Sequence, residues 1–369
     1  MTRSEHFLQL TRQNKKKIWK SFLASTNGYE TRLGQYYKHV VNALHFLAVD
    51  DAYKLSLLLR TPFYDLEKLI NSPIYKQFGI KKSKGGIREI ASPDGQLKVI
   101  QRRLNYYLQA YYLCIKPAEV HGFVIHPKYL GEYCNIVANA QPHTRKKHVL
   151  NIDLQDFFPS ITARQVRDLF TSTLFEFDYQ VSTALSLLTT YNSKLPTGAP
   201  TSPVISNFIC LPLDSELKAF AKENRLTFTR YADDLTFSSD NEITKDNLSD
   251  ISNIIQQHGF RINEKKLRFK SSSRKQTVTG LVVNEKVNID RKLLKKVRAM
   301  IHDLTTNGLE QAAKHHFGLT DSCDENIMGK FLQRIKGYIN LIGQVRGLND
   351  PMYLKFKYSI DETYYLPNR

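Results

Sequence analysis

Residues 226–239, LTFTRYADDLTFSS, set the tightest limit on how this chain can fold. They alternate apolar and polar on both sides of Ala232-Asp233-Asp234, which is the period of a strand and not of a helix. Two such strands joined across so few residues make a β-hairpin, with two carboxylates at its turn. An Asp-Asp pair is also ordinary turn chemistry, because short acidic side chains bond their own backbone. A second segment bears on that choice. Residues 148–154, HVLNIDL, form a short apolar strand that runs onto Asp153. If the two strands are neighbours in one sheet, Asp153 and the Asp233-Asp234 pair meet. Carboxylates converging from separate segments are what two-metal nucleotidyl transfer needs, with ions about 3.5–4 Å apart. Mg²⁺ prefers such hard oxygen ligands and keeps part of its water.

The charge balance says what kind of partner suits such a site. The chain has 369 residues, with 53 Lys and Arg against 35 Asp and Glu, a net +18. That excess favours a polyanion, nucleic acid before an anionic membrane surface. Between Arg261 and Met300 there are 13 Lys and Arg and 3 Asp and Glu, so over half of the excess follows the acidic candidates directly. A solvated face is the alternative reading of such a run. The four cysteines, Cys114, Cys134, Cys210 and Cys323, are scattered, which argues against a zinc ribbon or a disulfide framework. His121 and His143 have no second ligand at metal spacing. No stretch of 18 apolar residues and no apolar leader segment is present, so the expectation is a cytoplasmic protein without a membrane partner.

Periodicity places the rest. Residues 1–60 read as helical, with Lys15-Lys16-Lys17 on a solvated face or against nucleic acid. Residues 75–95 read as a hairpin with cations at its tip (Lys81, Lys82, Lys84), followed by a helix with Leu97, Ile100, Leu104 and Leu108 on one face. Residues 163–190 and 204–222 return to helical spacing, with a Gly/Pro loop at 196–203 between them. An amphipathic helix is expected from 291, with Leu293, Val297, Met300 and Leu304 inward and Lys292, Lys295, Lys296 and Arg298 largely outward. The tyrosine pairs 106–107 and 111–112 could stack bases, but helix packing is the simpler reading.

Three motifs then stand in register. Tyr231-Ala232-Asp233-Asp234 resembles the Y-x-D-D signature of reverse transcriptases. Residues 151–161, NIDLQDFFPSI, resemble their first palm motif, and residues 195–203, LPTGAPTSP, with Asn207 after them, resemble the second. Within that family, Asn139-Ala140-Gln141-Pro142-His143 is similar to the N-A-x-x-H element of bacterial retron reverse transcriptases, and Val278-Thr279-Gly280 to their V-T-G element. The resemblance implies an α+β right-hand polymerase, with an N-terminal helical region to 60, fingers at 61–145, a palm at 146–285 and a basic helical thumb at 286–369. It implies two Mg²⁺ ions on Asp153, Asp233 and Asp234. Arg88 and Lys84 would grip the triphosphate, with the backbone of Leu154 nearby. Phe158 would exclude a 2′-hydroxyl and so select dNTPs. Thr197 stands where a Gln is usual, which puts a side-chain contact to the nucleotide in doubt, and Gly198 would permit close backbone approach. Lys266, or else Lys265, would protonate the leaving pyrophosphate or simply touch phosphate. Asn139, His143, Val278, Thr279, Gly280 and the cations Lys292, Lys295, Lys296 and Arg298 are candidates for RNA contact. For His143 the ordering of a loop is the other reading. The partners implied are a structured non-coding RNA serving as template and primer, its branched RNA-linked DNA product (msDNA), and an effector in antiviral defence.

Overall fold

The computed structural model describes residues 3–26, 38–81, 85–125, 134–320 and 323–364. The elements run α1 (Arg3–Thr26), α2 (Lys38–Leu47), α3 (Ala52–Leu58), α4 (Phe63–Asn71), β1 (Tyr75–Lys81), β2 (Ile87–Pro93), α5 (Gly95–Ile115), α6 (Ile136–Ala140) and β3 (His148–Asp153). Then come α7 (Phe157–Ser160), α8 (Ala163–Thr171), α9 (Tyr179–Thr189), α10 (Ser202–Ile209), α11 (Leu211–Glu223), β4 (Thr227–Tyr231), β5 (Asp234–Ser239), α12 (Lys245–Gln257) and β6 (Arg268–Ser271). The short hairpin β7 (Thr277–Val278) and β8 (Leu281–Val282) precedes α13 (Arg291–Phe317), α14 (Glu325–Arg346) and α15 (Pro351–Tyr364). The class is α+β. β1 and β2 pair antiparallel, and a four-stranded sheet has the order β4-β5-β3-β6.

Two compact units interleave along the chain. The first comprises Met1–Cys134, Leu150–Phe237 and Ile243–Arg268; the second comprises Asn135–Val149, Ser238–Glu242 and Phe269–Arg369. In the first, the face of α5 read from sequence is the core face: Leu97, Ile100, Leu104 and Leu108 are all fully buried. An aromatic knot packs with it. Phe175 lies 5.0 Å from Phe170 and from Phe208 and 5.3 Å from Tyr111, mostly edge to face. Such pairs add roughly 0.5–1.5 kcal/mol each beyond burial. Of the four tyrosines on α5, Tyr107, Tyr111 and Tyr112 are buried, as the packing reading expects, and Tyr106 is exposed. The helix read over 204–222 is two helices, since Pro212 cannot donate to the helix before it and a new one starts after Cys210.

The second unit has its own core, in which Val278, Leu281, Val297, Met300, Leu304, Phe331 and Ile335 cluster. α13 starts on Asp290, whose side chain accepts from the Lys292 N–H. The inward residue of its first turn is Leu294; Leu293 is only half-buried, a shift of one position in the stripe. Lys292, Lys295, Lys296 and Arg298 are exposed. Gly308, at φ +76°, breaks the helical path inside α13.

Candidate active site

β4 and β5 form the hairpin read from the alternation, with Ala232 and Asp233 as its two-residue connection. Ala232 has φ +60°, a left-handed conformation that costs a non-glycine residue energy and persists only where its surroundings hold it. The holding group is Arg230. Its guanidinium donates to the Ala232 carbonyl (3.2 Å), to Asn207 Oδ1 (3.0 Å) and in bidentate fashion to Asp214 (2.6 and 2.7 Å). Arg230 and Asp214 are both fully buried. Burial first of all raises the Asp214 carboxyl and the guanidinium opposes that; burial works against the charge on Arg230, and its neighbours, Asp214 foremost, more than offset it. The short, forked geometry is that of an ionised pair.

A loop at 117–125 presses on the same turn. The backbone of Arg230 donates to the Glu119 carbonyl and accepts from the His121 N–H, and Asn207 Nδ2 donates to the Gly122 carbonyl at 3.0 Å. A Cβ on Gly122 would stand 2.2 Å from the Ala232 nitrogen, so no side chain fits there. Phe123, next in the loop, lies 5.7 Å from the ring of Phe158.

In front of the turn, the Leu154 N–H donates to the Asp233 carbonyl at 2.9 Å, which fixes the end of β3 beside the hairpin connection. Asp153 is buried among polar neighbours. Lys266 Nζ donates to its Oδ1 at 2.7 Å and Asn263 Nδ2 to its Oδ2 at 3.2 Å, and the Asn263 N–H reaches its carbonyl. The Asp233 carboxyl is raised by burial, with Asp153 adding to the rise and Lys266 and Arg88 opposing it. Asp234 is pushed up to about 6, by loss of solvent first and then by Asp233 and Asp153. Asp233 and Asp234 are thus both less readily charged than free carboxyls, through partial dehydration and the nearby carboxylates, although Asp234 keeps an exposed edge. A divalent cation relieves that condition, and hard oxygen donors suit Mg²⁺, so the donor set fits. Among the described residues no three acidic, His or Cys side chains are gathered closely enough to hold an ion, and the Asp153 carboxylate accepts from Lys266 and Asn263.

The other candidates divide. Asp156, at φ +47°, turns the chain into α7; Phe157 then packs on Phe260 in the core, and Phe158 stays half-buried against Phe123. Arg88 is exposed on β2 and close enough to act on Asp233. Lys84 lies outside the described residues. The Leu154 N–H is already committed to Asp233, so it is not a donor for a triphosphate. The Thr197 carbonyl accepts from the Ala91 N–H, and Gly198, at φ +120°, sits where a Cβ would meet Ile90 Cγ2 at 2.6 Å. The close approach that Gly198 permits is therefore to β2.

Three of the RNA-contact candidates need correction. Asn139, His143 and Val278 are fully buried, so their side chains are closed to a ligand. They build the second unit instead. His143 Nδ1 is 2.7 Å from Ser238 Oγ, and Asn135 caps α6 by accepting from the Val137 and Ala138 N–H groups. Thr279 and Gly280, at φ +46° and +84°, form the tight two-residue turn between β7 and β8. Thr279 Oγ1 donates to the Ile136 carbonyl at 3.3 Å. The turn that carries the second short element thus bonds to the start of α6, the helix that leads into the first.

Comparison with known proteins agrees with this geometry. The family model described as reverse transcriptase (RNA-dependent DNA polymerase) matches residues 80–283, over half the chain. Retron Ec73 reverse transcriptase of Escherichia coli is 32% identical over 265 residues, covering 65% of this chain and 79% of that one. The chain belongs to the retron reverse transcriptases. Retron Mx65 reverse transcriptase of Myxococcus xanthus is 33% identical over 261 residues, and Retron Ec86 reverse transcriptase of Escherichia coli is 40% identical over 172. This reverse transcriptase spans 58% and 53% of the length of those two relatives. No described helix is long and apolar enough to cross a membrane.

The sequence reading missed Asp214 and the 117–125 loop and gave Arg230 and Asn207 no task. The signal for the ion pair was present. Arg230 falls on the same phase of its strand as Leu226 and Phe228, and Asp214 falls on the stripe of Leu213, Leu217 and Ala221. A charge on each of two apolar faces is best satisfied when the two meet.

Proposed function

We propose that this chain is the RNA-directed DNA polymerase of a retron. It would copy part of a cognate structured non-coding RNA into a branched, RNA-linked single-stranded DNA. The first bond would be made to a guanosine 2′-hydroxyl, and the ribonucleoprotein would act in the cytoplasm with an effector in antiphage defence. The observation that carries the reading is the join of Leu154 to Asp233, which supports one acidic cluster built from two distant motifs.

Asp153, Asp233 and Asp234 would hold two Mg²⁺ ions. When bound, the ions supply activation of the primer hydroxyl and charge neutralisation at the triphosphate. The rest is the work of the chain. Arg88 offers a planar cation to phosphate oxygens. Phe158, in ring contact with Phe123, would exclude a ribose 2′-hydroxyl and so select dNTPs. Lys266 carries a proton beside Asp153 and can meet a phosphate or leaving pyrophosphate if it leaves that carboxylate. Lys292, Lys295, Lys296 and Arg298 offer phosphate contacts that position RNA without reading its sequence. We assign the N-terminal helices, fingers, palm and thumb to 1–60, 61–145, 146–285 and 286–369.

The test is to express the chain with its neighbouring non-coding RNA and characterise the co-purifying nucleic acid. DNA whose RNA link is cut by a debranching nuclease supports the reading. Linear DNA resistant to that nuclease points to a conventional 3′-hydroxyl primer. A complex that still restrains its effector after Asp233→Asn with Asp234→Asn makes the protein chiefly a scaffold.

A further inference from the structure

The outer face of α5 is unlike an ordinary solvated face. Val99, Arg102, Arg103 and Tyr106 recur at helical spacing, opposite the core stripe of Leu97, Ile100, Leu104 and Leu108. With Arg60 and Tyr107 they line a cavity of about 360 Å³. Among the described residues, three of those that line it are arginines and none is acidic. Like charges gathered without a counter-ion raise one another's energy, so the cavity favours an anion.

Its parts are held in place. Arg103 Nη1 donates to the carbonyls of Leu59 and Arg60, at 2.7 and 2.8 Å, which ties α5 to the end of α3 and fixes the turn that carries Arg60. Arg60 and Arg103 lie near enough to Tyr107 to pull its phenol down against the rise that burial causes. Tyr106 is 47% exposed, yet its hydroxyl accepts from Asn42 Nδ2 of α2 at 2.7 Å. The ring also meets Tyr107 edge to face at 5.5 Å, so an aromatic surface pinned at its far end and about half exposed needs little ordering on binding. Val99, 40% exposed, adds apolar surface beside it.

We propose that this cavity holds an unpaired nucleotide of the RNA partner, its phosphate on Arg60 and Arg102 and its base against Tyr106. The inference rests on the polymerase reading and adds a place for RNA away from the carboxylates. Single-stranded RNA is gripped by this combination of guanidinium groups and exposed aromatic rings. An acidic peptide would use the arginines and leave the ring without a task.

The test uses the full chain preloaded with a pre-annealed RNA template and DNA primer, so that the polymerase site is occupied. A short single-stranded oligouridylate carrying thiouridine is then photo-crosslinked to it, and its affinity is read by fluorescence anisotropy. Crosslinks are expected within residues 99–107. Arg60→Ala with Arg102→Ala should weaken oligouridylate binding roughly tenfold and flatten its salt dependence. Tyr106→Ala should weaken it by a similar factor, and Tyr106→Phe should restore most of it, since the ring meets the base and only the tie to Asn42 is lost. Extension of the pre-annealed primer should stay at the parent rate in all three. The site is overturned if the double variant binds like the parent, if Tyr106→Phe is as weak as Tyr106→Ala, or if crosslinks fall only elsewhere. A parent chain that fails to extend the primer overturns the polymerase reading instead, and that is read in the same preparation.

Discussion

Two ion pairs brace the Tyr231–Asp234 turn and the strand joined to it, alike in length and different in setting. Behind the turn, Arg230 and Asp214 meet at 2.6 Å with no exposure on either side chain. In front, Lys266 meets Asp153 at 2.7 Å, with the lysine half exposed. A buried pair is hard to break, because either partner left alone is an uncompensated charge away from water. A pair open to water is worth little and exchanges partners readily. The rear pair is suited to hold Ala232 in its left-handed conformation permanently. The front pair leaves Asp153 able to change its counter-charge during a reaction.

That contrast can be broken or sharpened by substitution. The largest effect is expected in front: Asp233→Asn with Asp234→Asn should lower primer extension at least about a thousandfold, the order seen when charge stabilisation is removed from a reacting centre. Circular dichroism should show the fold unchanged. A variant that still polymerises would end the two-ion reading. Behind the turn the readout is stability. Arg230→Met should cost about 3–5 kcal/mol in denaturant titration, and adding Asp214→Leu should restore most of it. If the double variant is no more stable than the single one, the pair is not the clamp described. Phe158→Ala should let ribonucleotides into the product with a loss of discrimination of roughly tenfold or more, while deoxynucleotide use changes less. Single-nucleotide incorporation assays with unchanged discrimination would remove Phe158 as a gate.

Smaller effects follow. Lys266→Met should cost clearly less stability than Arg230→Met, because the lysine is half exposed and Asn263 still donates to the buried Asp153. Its effect should appear in the incorporation rate, so a normal rate would leave the lysine without a role in the reaction. The smallest effect concerns Asp234 alone in metal-free buffer. Its carboxyl is raised from the usual range to about 6, so the folded protein binds its proton more tightly than the unfolded chain does. That contribution to stability is full below the unfolded value and is lost as pH rises through about 6. The thermal midpoint of Asp234→Asn should therefore exceed that of the parent at pH 7, with the gap closing toward pH 4 as the parent carboxyl is neutralised. A gap independent of pH would mean that neither burial nor the neighbouring carboxylates act on Asp234.

The same contrast explains what the sequence could and could not disclose. The hairpin, the strand onto Asp153 and the core face of α5 were legible because strand and helix periods are local. The one-position slip in α13, with Leu294 inward, reflects an apolar pair that leaves the stripe ambiguous at the first turn. The rear clamp depends on residues from α10, α11, β4 and the 117–125 loop meeting in space. Only the misplaced charges at 214 and 230 hinted at it. Asn139, His143 and Val278 went the other way. Polar or turn-forming letters in a short motif suggest a surface contact, and burial gives them a structural task.

The contact between Thr279 and Ile136 has a practical consequence for transplanting pieces of this chain. The β7–β8 turn and α6 lie far apart in the chain, but each is part of the other's seat. Moving either one alone into another polymerase would strand a hydroxyl and open a gap beside Ala140. The smallest graft that carries its own support contains both.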